Sequence, residues 1–234
     1  SYYFVFKNTV GPGQKYIITA ESKIKSPKLY KAKQFINLSE SSRQADYILI
    51  THPMFISETQ NYIAFIESNY NVSTEIINVY DIYDQFNYGF FAPEPIKDFL
   101  LMTNSIWQPP SPQNVFIVGR SNYDYHGYKT EFFGNPVEPN YVLSFGVPVT
   151  DNWFVIWDST GAAIPQMNIG RLPARSVEEF QHYFSKHQNY ISNDFGEWNK
   201  TYMLMTGGNF TNPSQIARLK QVNDFVADNY IRPA

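Results

Sequence analysis

Hydrophobic residues in the first half of the chain gather in short, nearly unbroken runs. Tyr47–Thr51 and Val115–Val118 consist almost entirely of aliphatic and aromatic residues, as strands covered on both faces do. Thr74–Val79 is predicted to be a further strand. After the first run, the spacing of Ile63 and Ile66 behind a capping-box sequence predicts an amphipathic helix. The pattern therefore predicts a strand–helix–strand unit, which crosses over right-handed.

The segment from Asp151 to Arg175 is predicted to contain two more strands. Trp153–Trp157 has the aromatic and β-branched make-up of a buried strand. The next strand is expected to end before Pro173, because proline has no amide hydrogen for a strand ladder. Ser176, with two glutamates behind it, favours the start of a helix. His187 lies on the apolar stripe of that helix and is predicted to be partly buried and hydrogen-bonded.

The last part of the chain repeats the pattern of a strand followed by a helix. Tyr202–Met205 is predicted as a strand, Gly207–Gly208 as a turn and Ser214–Asn229 as a helix. The side chains predicted to face inward from this helix are Ile216, Leu219, Val222 and Val226. Strands that alternate with helices indicate an α/β fold with a mainly parallel sheet and helices on both faces, of the Rossmann-like type.

Three other regions carry no regular helical pattern. Tyr80–Phe91 and Arg120–Tyr141 are rich in aromatic residues and are interpreted as long loops. Residues 1–45 are predicted to be a β lead-in or the end of a preceding domain, and residues 46–234 the α/β unit. The strand candidates of the lead-in, on either side of a Gly-Pro-Gly turn, are Tyr2–Phe6 and Tyr16–Ala20.

Composition narrows the classes of function. The formal net charge is −3, the pI is about 5.8 and no run of Lys or Arg occurs, so nucleic-acid binding is not expected. The chain has no cysteine, which excludes disulfides, thiolate metal sites and a thiol nucleophile from these residues. No apolar run approaches the roughly 20 residues of a membrane-spanning helix, so no membrane span is predicted.

Candidate site residues follow the predicted strands. Ligands of open α/β sheets bind beyond the carboxyl ends of the strands, and His52 is the histidine in such a place. An isolated histidine there more often caps or hydrogen-bonds a loop than acts in catalysis. Asp151, Asp158 and Arg171 form either an acid/base group or, more simply, a structural ion pair. His52, Asp151 and Arg171 are thus candidates for substrate binding or structure, and no catalytic residue is assigned.

Metal and cofactor sites are not expected. His182 and His187 are five residues apart, which turns them to different sides of a helix, unlike the i, i+4 pair of zinc helices. Asp124 beside His126 supplies one carboxylate, which is too few ligands for a cation site. The glycines after the predicted strands match neither phosphate-binding pattern, and GxSxG is absent.

Six segments of the chain each resemble a segment of one protein family. They are ADYILITHP at 45–53, DIYDQFNYG at 81–89, PEPIKDFL at 93–100, NVFIVG at 114–119, DNWF at 151–154 and IGRLPARS at 169–176. In this order they resemble segments of the amino-terminal subdomain of the gingipain-type cysteine peptidase family. Six resemblances in register make the likeness specific.

The resemblance implies a caspase-like domain built from two α/β subdomains, of which this chain is the first and whose remainder is its partner. It implies cleavage of peptide bonds by a Cys–His dyad, in which the thiolate attacks the carbonyl and the imidazole shuttles the proton. No residue of this chain is assigned to the dyad. It also implies secretion or surface display by a Bacteroidetes-type bacterium, in many relatives through type IX secretion. Thr206–Phe210 has no carboxylate, unlike the best-known members, so specificity for Arg or Lys is not expected.

Two hypotheses of function follow. The first is the amino-terminal portion of a secreted gingipain-like cysteine endopeptidase, inactive alone, whose parent acts on protein or peptide substrates. The second is a non-catalytic α/β module for binding or assembly at the bacterial cell surface, with its aromatic loops as the contact surface. A nucleotide-binding Rossmann domain is a third, which the missing glycine fingerprint disfavours. A His-Gly and a downstream Cys in the parent protein distinguish the first two.

Overall fold

A four-stranded parallel sheet is the centre of the computed structural model, which describes residues 7, 17–26, 32–126, 128, 131–132, 135–136, 138–157, 161 and 163–232. Its strands are β1 (Tyr47–Thr51), β2 (Thr74–Asn78), β3 (Asn114–Val118) and β6 (Asn168–Leu172). They lie in the order β2-β1-β3-β6. A separate antiparallel pair consists of β4 (Glu131–Phe132) and β5 (Asn135–Pro136).

Helices connect the strands. The α-helices are α1 (Ile56–Tyr70), α2 (Val79–Asn87), α3 (Glu94–Ile106), α4 (Val177–Ser192) and α5 (Pro213–Val226). Short 3-10 helices occur at Glu21–Lys23, Pro53–Phe55, Asn152–Val155 and Glu197–Lys200, and a π turn at Ala227–Ile231. Among the described residues, no helix is both long enough and apolar enough to cross a membrane.

The core forms two layers, one on each face of the sheet. Successive side chains of a strand point to opposite faces, and β1 shows this directly. Ile48 and Ile50 pack with α2 and α3, whereas Leu49, between them, packs with α1 and α4. All three are fully buried. The predicted α/β fold class, a parallel sheet with helices on both faces, is therefore confirmed.

Several local predictions are also confirmed. β6 ends at Leu172, directly before Pro173. The hydroxyl of Ser176 accepts a hydrogen bond from the amide of Glu179 at 3.3 Å and so caps α4, as its sequence indicated. His187 lies on α4, where it is partly buried and hydrogen-bonded.

The strand predicted at Trp153–Trp157 is wrong. Asn152–Val155 forms a 3-10 helix instead. Phe154 and Val155 are fully buried in the core layer of α2 and α3, and Trp153 stacks on Phe145 with ring centroids 3.7 Å apart. A short apolar run encodes burial but not backbone conformation, which is why the pattern was ambiguous here.

The loop predicted at Tyr80–Phe91 is also wrong over most of its length, because α2 occupies Val79–Asn87. The side chain of Asn78 accepts a hydrogen bond from the amide of Tyr80 at 3.0 Å and caps the helix. Val79, Ile82 and Tyr83 follow helical spacing and are buried. The aromatic content masked this periodicity.

The predicted end of the chain is wrong in two respects. Tyr202–Met205 forms no strand and its side chains are exposed. α5 forms, but Ile216, Leu219 and Val222 are 38–55% exposed rather than facing inward. Periodicity shows that a helix is amphipathic, but it does not show whether the chain itself supplies the surface that covers the apolar face.

The amino-terminal part is described only in pieces. Tyr2–Phe6 lies outside the described residues, and Ile17–Ala20 is exposed and carries no strand. Leu38, in contrast, is 2% exposed within the core layer of α2 and α3, and its carbonyl accepts a hydrogen bond from Trp107 Nε1 at 2.9 Å. The packed segment thus begins before the boundary predicted at residues 45 and 46, and the boundary stays a prediction.

Candidate functional site

The carboxyl edge of the sheet has a topological switch point between two strands. β2 pairs with one side of β1 and β3 with the other, so the winding direction changes between β1 and β3. Ligands of open α/β sheets bind at such a switch point. His52 follows β1 at this edge, and Gly119 and Arg120 follow β3. The structure thus places the candidate His52 on one rim with Gly119 and Arg120.

His52 caps the short helix that follows β1. Its Nδ1 accepts a hydrogen bond from the amide of Met54 at 3.2 Å, and its Nε2 lies 3.4 Å from the hydroxyl of Tyr80. The ring centroids of Tyr80 and Tyr141 lie 5.5 and 5.0 Å from that of the imidazole. Burial lowers the pKa of His52, so its neutral form is favoured. The geometry agrees with the capping interpretation and gives the imidazole two aromatic neighbours.

Gly119 permits the close approach of the loop that contains Tyr141. Its φ is +133°, which L side chains rarely adopt, and a Cβ atom would stand 2.9 Å from the Cβ of Tyr141. The carbonyl of Arg120 accepts a hydrogen bond from the amide of Tyr141 at 3.0 Å, while the Arg120 side chain forms an ion pair with Glu138. Tyr141 is therefore held directly beside His52.

Arg171 and Asp151 form a bidentate ion pair below this rim. Arg171 Nε donates to Asp151 Oδ2 at 2.7 Å, and Nη2 donates to Oδ1 at 2.8 Å. The same guanidinium donates to the carbonyls of Gly119, Val142 and Leu143 at 2.6, 2.7 and 3.1 Å. Its five N–H groups thus have five acceptors, the full complement of an arginine. The pair ties the end of β3 to the loop that positions Tyr141.

The three candidates divide into two kinds. His52 lies at the switch point and contacts two tyrosines, whereas Asp151 and Arg171 hold backbone together. Asp158 lies outside the described residues, and Gly207–Gly208 follows no strand. Sequence reasoning missed Tyr141 as a neighbour of His52. The one local signal was a tyrosine in a loop of many aromatic residues, which does not single it out.

An acidic pair at the start of α2 is occupied by a lysine. Lys33 Nζ donates to Asp81 Oδ1 at 2.6 Å and also contacts Asp84. Asp81 is 7% exposed, so the ammonium compensates a nearly buried carboxylate. Within the described ranges, no three His, Asp or Glu side chains gather as metal ligands would.

The chain matches the model of Peptidase family C25 over residues 40–232. A search of curated proteins finds no match. The fold is similar to that in the crystal structure of dimeric latent PorU from Porphyromonas gingivalis, with a TM-score of 0.56 and 16% identity over 72% of this chain and 18% of that one. The chain therefore spans less than a fifth of that protein. The family match covers most of the chain and confirms the relationship that the six segments indicated: the chain belongs to Peptidase family C25, the gingipain family.

Proposed function

We propose that this chain is the amino-terminal part of a secreted gingipain-like cysteine endopeptidase, and that the rest of the catalytic domain supplies its nucleophile and general base. The observation that carries the proposal is a C25 match over residues 40–232 in a chain without cysteine. A cysteine peptidase needs a thiolate. The chain therefore acts as the scaffold half of the active site.

The carboxyl edge supports a role in substrate binding. Burial favours the neutral form of His52, which is flanked by aromatic rings, so it would form an uncharged wall of the proposed binding site. Such a wall suits an apolar or neutral side chain of a peptide substrate better than a cationic one. Asp151 and Arg171 are positioning residues in this proposal, because all donors of the arginine are used within the protein.

Two exposed features support packing against the remainder of the domain. β6 pairs with β3 on one side, and no strand of the described residues pairs with its other side. The apolar face of α5 is exposed at Ile216, Leu219 and Val222. An open strand edge and an uncovered apolar face are the surfaces that another α/β unit would bury.

A non-catalytic binding module is the second candidate. It is favoured by the exposed aromatic side chains after α2, where Tyr88 is 94% and Phe90 is 72% exposed. Aromatic side chains often supply the main contacts of protein interfaces. In this candidate the chain binds a partner at the bacterial surface through these rings, and no peptide bond is cleaved.

A thiol-reactive peptidyl probe distinguishes the two candidates. The longest natural form of the protein that contains this chain is incubated with the probe, and labelling is read by intact mass. We expect one adduct, lost when a single downstream Cys is changed to Ala and retained in His52→Gln at saturating probe. Absence of an adduct in a folded protein would favour the binding module. Recovery of the protein from the culture medium or from shaved cell surfaces tests its secretion.

A further inference from the structure

An open cavity lies at the opposite, amino edge of the sheet. It has a volume of about 460 Å³ and lies between α1 and α4, where β1 and β3 begin. Its polar lining consists of Tyr47, Tyr62, Tyr70, Asn114, Tyr183 and His187. This volume falls within the roughly 300–1,000 Å³ of small-molecule sites. None of these residues belongs to the candidate site around His52.

Hydroxyl groups and one imidazole form a connected network in the cavity. The hydroxyl of Tyr62 lies 3.2 Å from His187 Nδ1, and that of Tyr70 lies 3.0 Å from Nε2. Tyr62 and Tyr183 contact each other through their hydroxyls at 3.5 Å. Tyr62 is 1% exposed, whereas Tyr70, at the mouth, is 50% exposed. The network therefore runs from the buried end of the cavity to solvent.

The hydrogen count of this network leaves one donor unused. Three hydroxyls and a neutral imidazole carry four polar hydrogens, because each group has one. Three contacts join the four groups, and each contact uses one hydrogen, so one of four remains. The hydroxyl of Tyr47, which interacts with that of Tyr62, adds one hydrogen and one contact and leaves the surplus at one. The imidazole tautomer and the orientations of the hydroxyls decide which group carries the surplus hydrogen. The unused hydrogen, together with the remaining lone pairs, is available to a ligand that both accepts and donates.

The cavity is also electrically neutral. Its lining contains no Asp, Glu, Lys or Arg side chain. Burial raises the pKa of Tyr47 and of Tyr62 and lowers the pKa of His187, so each group is favoured in its uncharged form near neutral pH. A charged ligand would lose its hydration here without gaining an opposite charge.

We propose that this cavity binds a neutral polyhydroxylated ring, such as one sugar residue of a glycan. The rings of Tyr47, Tyr70 and Tyr183 offer flat apolar surfaces on which the C–H face of a pyranose packs. The hydroxyls and the imidazole then pair with the ring hydroxyls, which both donate and accept. A plain aromatic ring would fill the same space but would use few of the polar groups.

Nuclear magnetic resonance of the longest natural form of the protein that contains this chain tests the proposal. The probes are N-acetylglucosamine and methyl β-glucopyranoside, with p-cresol as a mimic of an aromatic side chain. We expect at least one sugar to shift the His187 ring signals and to receive saturation from the protein. Tyr70→Phe keeps the ring but removes the hydroxyl at the mouth, and we expect it to weaken sugar binding about two- to tenfold.

Tyr190→Phe is the matched control. It makes the same change on an exposed α4 tyrosine that does not line the cavity, and sugar binding should be unaltered. Binding of p-cresol without either sugar would overturn the proposal in favour of an aromatic side chain. Absence of shifts at His187 with all three probes, or equal loss in Tyr70→Phe and Tyr190→Phe, would also overturn it. None of these outcomes depends on peptidase activity.

Discussion

Replacement of Arg171 by lysine keeps the positive charge but changes the number and direction of the donors. The guanidinium makes five hydrogen bonds, two to Asp151 and three to backbone carbonyls, at 2.6 to 3.1 Å. An ammonium has three donors on one atom. Arg171→Lys therefore leaves at least two of the five acceptors without this partner.

The energetic cost follows from the burial of these groups. The side chains of Arg171 and Asp151 are 10% and 19% exposed, so water replaces the lost bonds only in part. A hydrogen bond to a charged group contributes about 1.5–3 kcal/mol, and two such losses sum to about 3–6 kcal/mol. Allowing for partial access of water, we expect Arg171→Lys to lower the free energy of unfolding by about 3 kcal/mol.

Urea unfolding followed by tryptophan fluorescence measures this cost, since Trp153 lies two residues from Asp151 and stacks on Phe145. Arg175→Lys is the matched control: it makes the same substitution four residues later, at a side chain 58% exposed, and we expect no measurable change in its unfolding midpoint. Equal midpoints for the two variants would refute the structural role assigned to the Arg171 network.

Three further predictions concern single positions. Gly119→Ala should lower the free energy of unfolding by about 2–4 kcal/mol, because Gly119 has a positive φ and the new Cβ would stand 2.9 Å from the Cβ of Tyr141. Gly170→Ala is the control in the same urea experiment and should change this free energy little, because nothing lies near its Cβ position. Burial lowers the pKa of His52 in the fold, so as the pH falls His52 becomes protonated in the unfolded chain before it does in the folded one. The stability that neutral His52 contributes is complete above pH 6.5 and is lost as the pH falls below that value. A ring titration midpoint at or above 6.5 would contradict this. Leu38→Ala should lower the free energy of unfolding by about 2–4 kcal/mol and Trp107→Phe by about 1–2 kcal/mol, as measured by urea unfolding. Both residues belong to the contact that joins the amino-terminal lead-in to the core. Unchanged stability in both would support the boundary at residue 46.

The sheet could be predicted from sequence because its elements bury their apolar residues within the same chain. β1 and β3 are covered on both faces, and their nearly unbroken hydrophobic runs record this. Trp153 and α2 show the limit of the same rule. Apolar residues there are buried by packing that needs no strand ladder, and the neighbours responsible are distant in sequence.

The candidate site could be predicted only in part. His52 and Arg171 lie beside strand ends, so topology alone marked them. The partners of Arg171 include the carbonyls of Gly119, Val142 and Leu143, which no side-chain pattern encodes. Tyr141 reaches His52 only because Gly119 has no Cβ, and that contact becomes visible only when the loop is folded.

The failures at the end of the chain have a common physical cause. A sequence pattern records which face of an element is apolar, but the group that covers this face can belong to another part of the protein. α4 packs beside α1 on one face of the sheet, and its stripe is buried at Phe180, whereas the apolar stripe of α5 is exposed. Ile216, Leu219 and Val222 place apolar side chains in helical register on a surface that the described residues leave exposed. The mismatch between pattern and burial therefore supports the proposed contact with the remainder of the catalytic domain, at the same end of the chain as the open edge of β6.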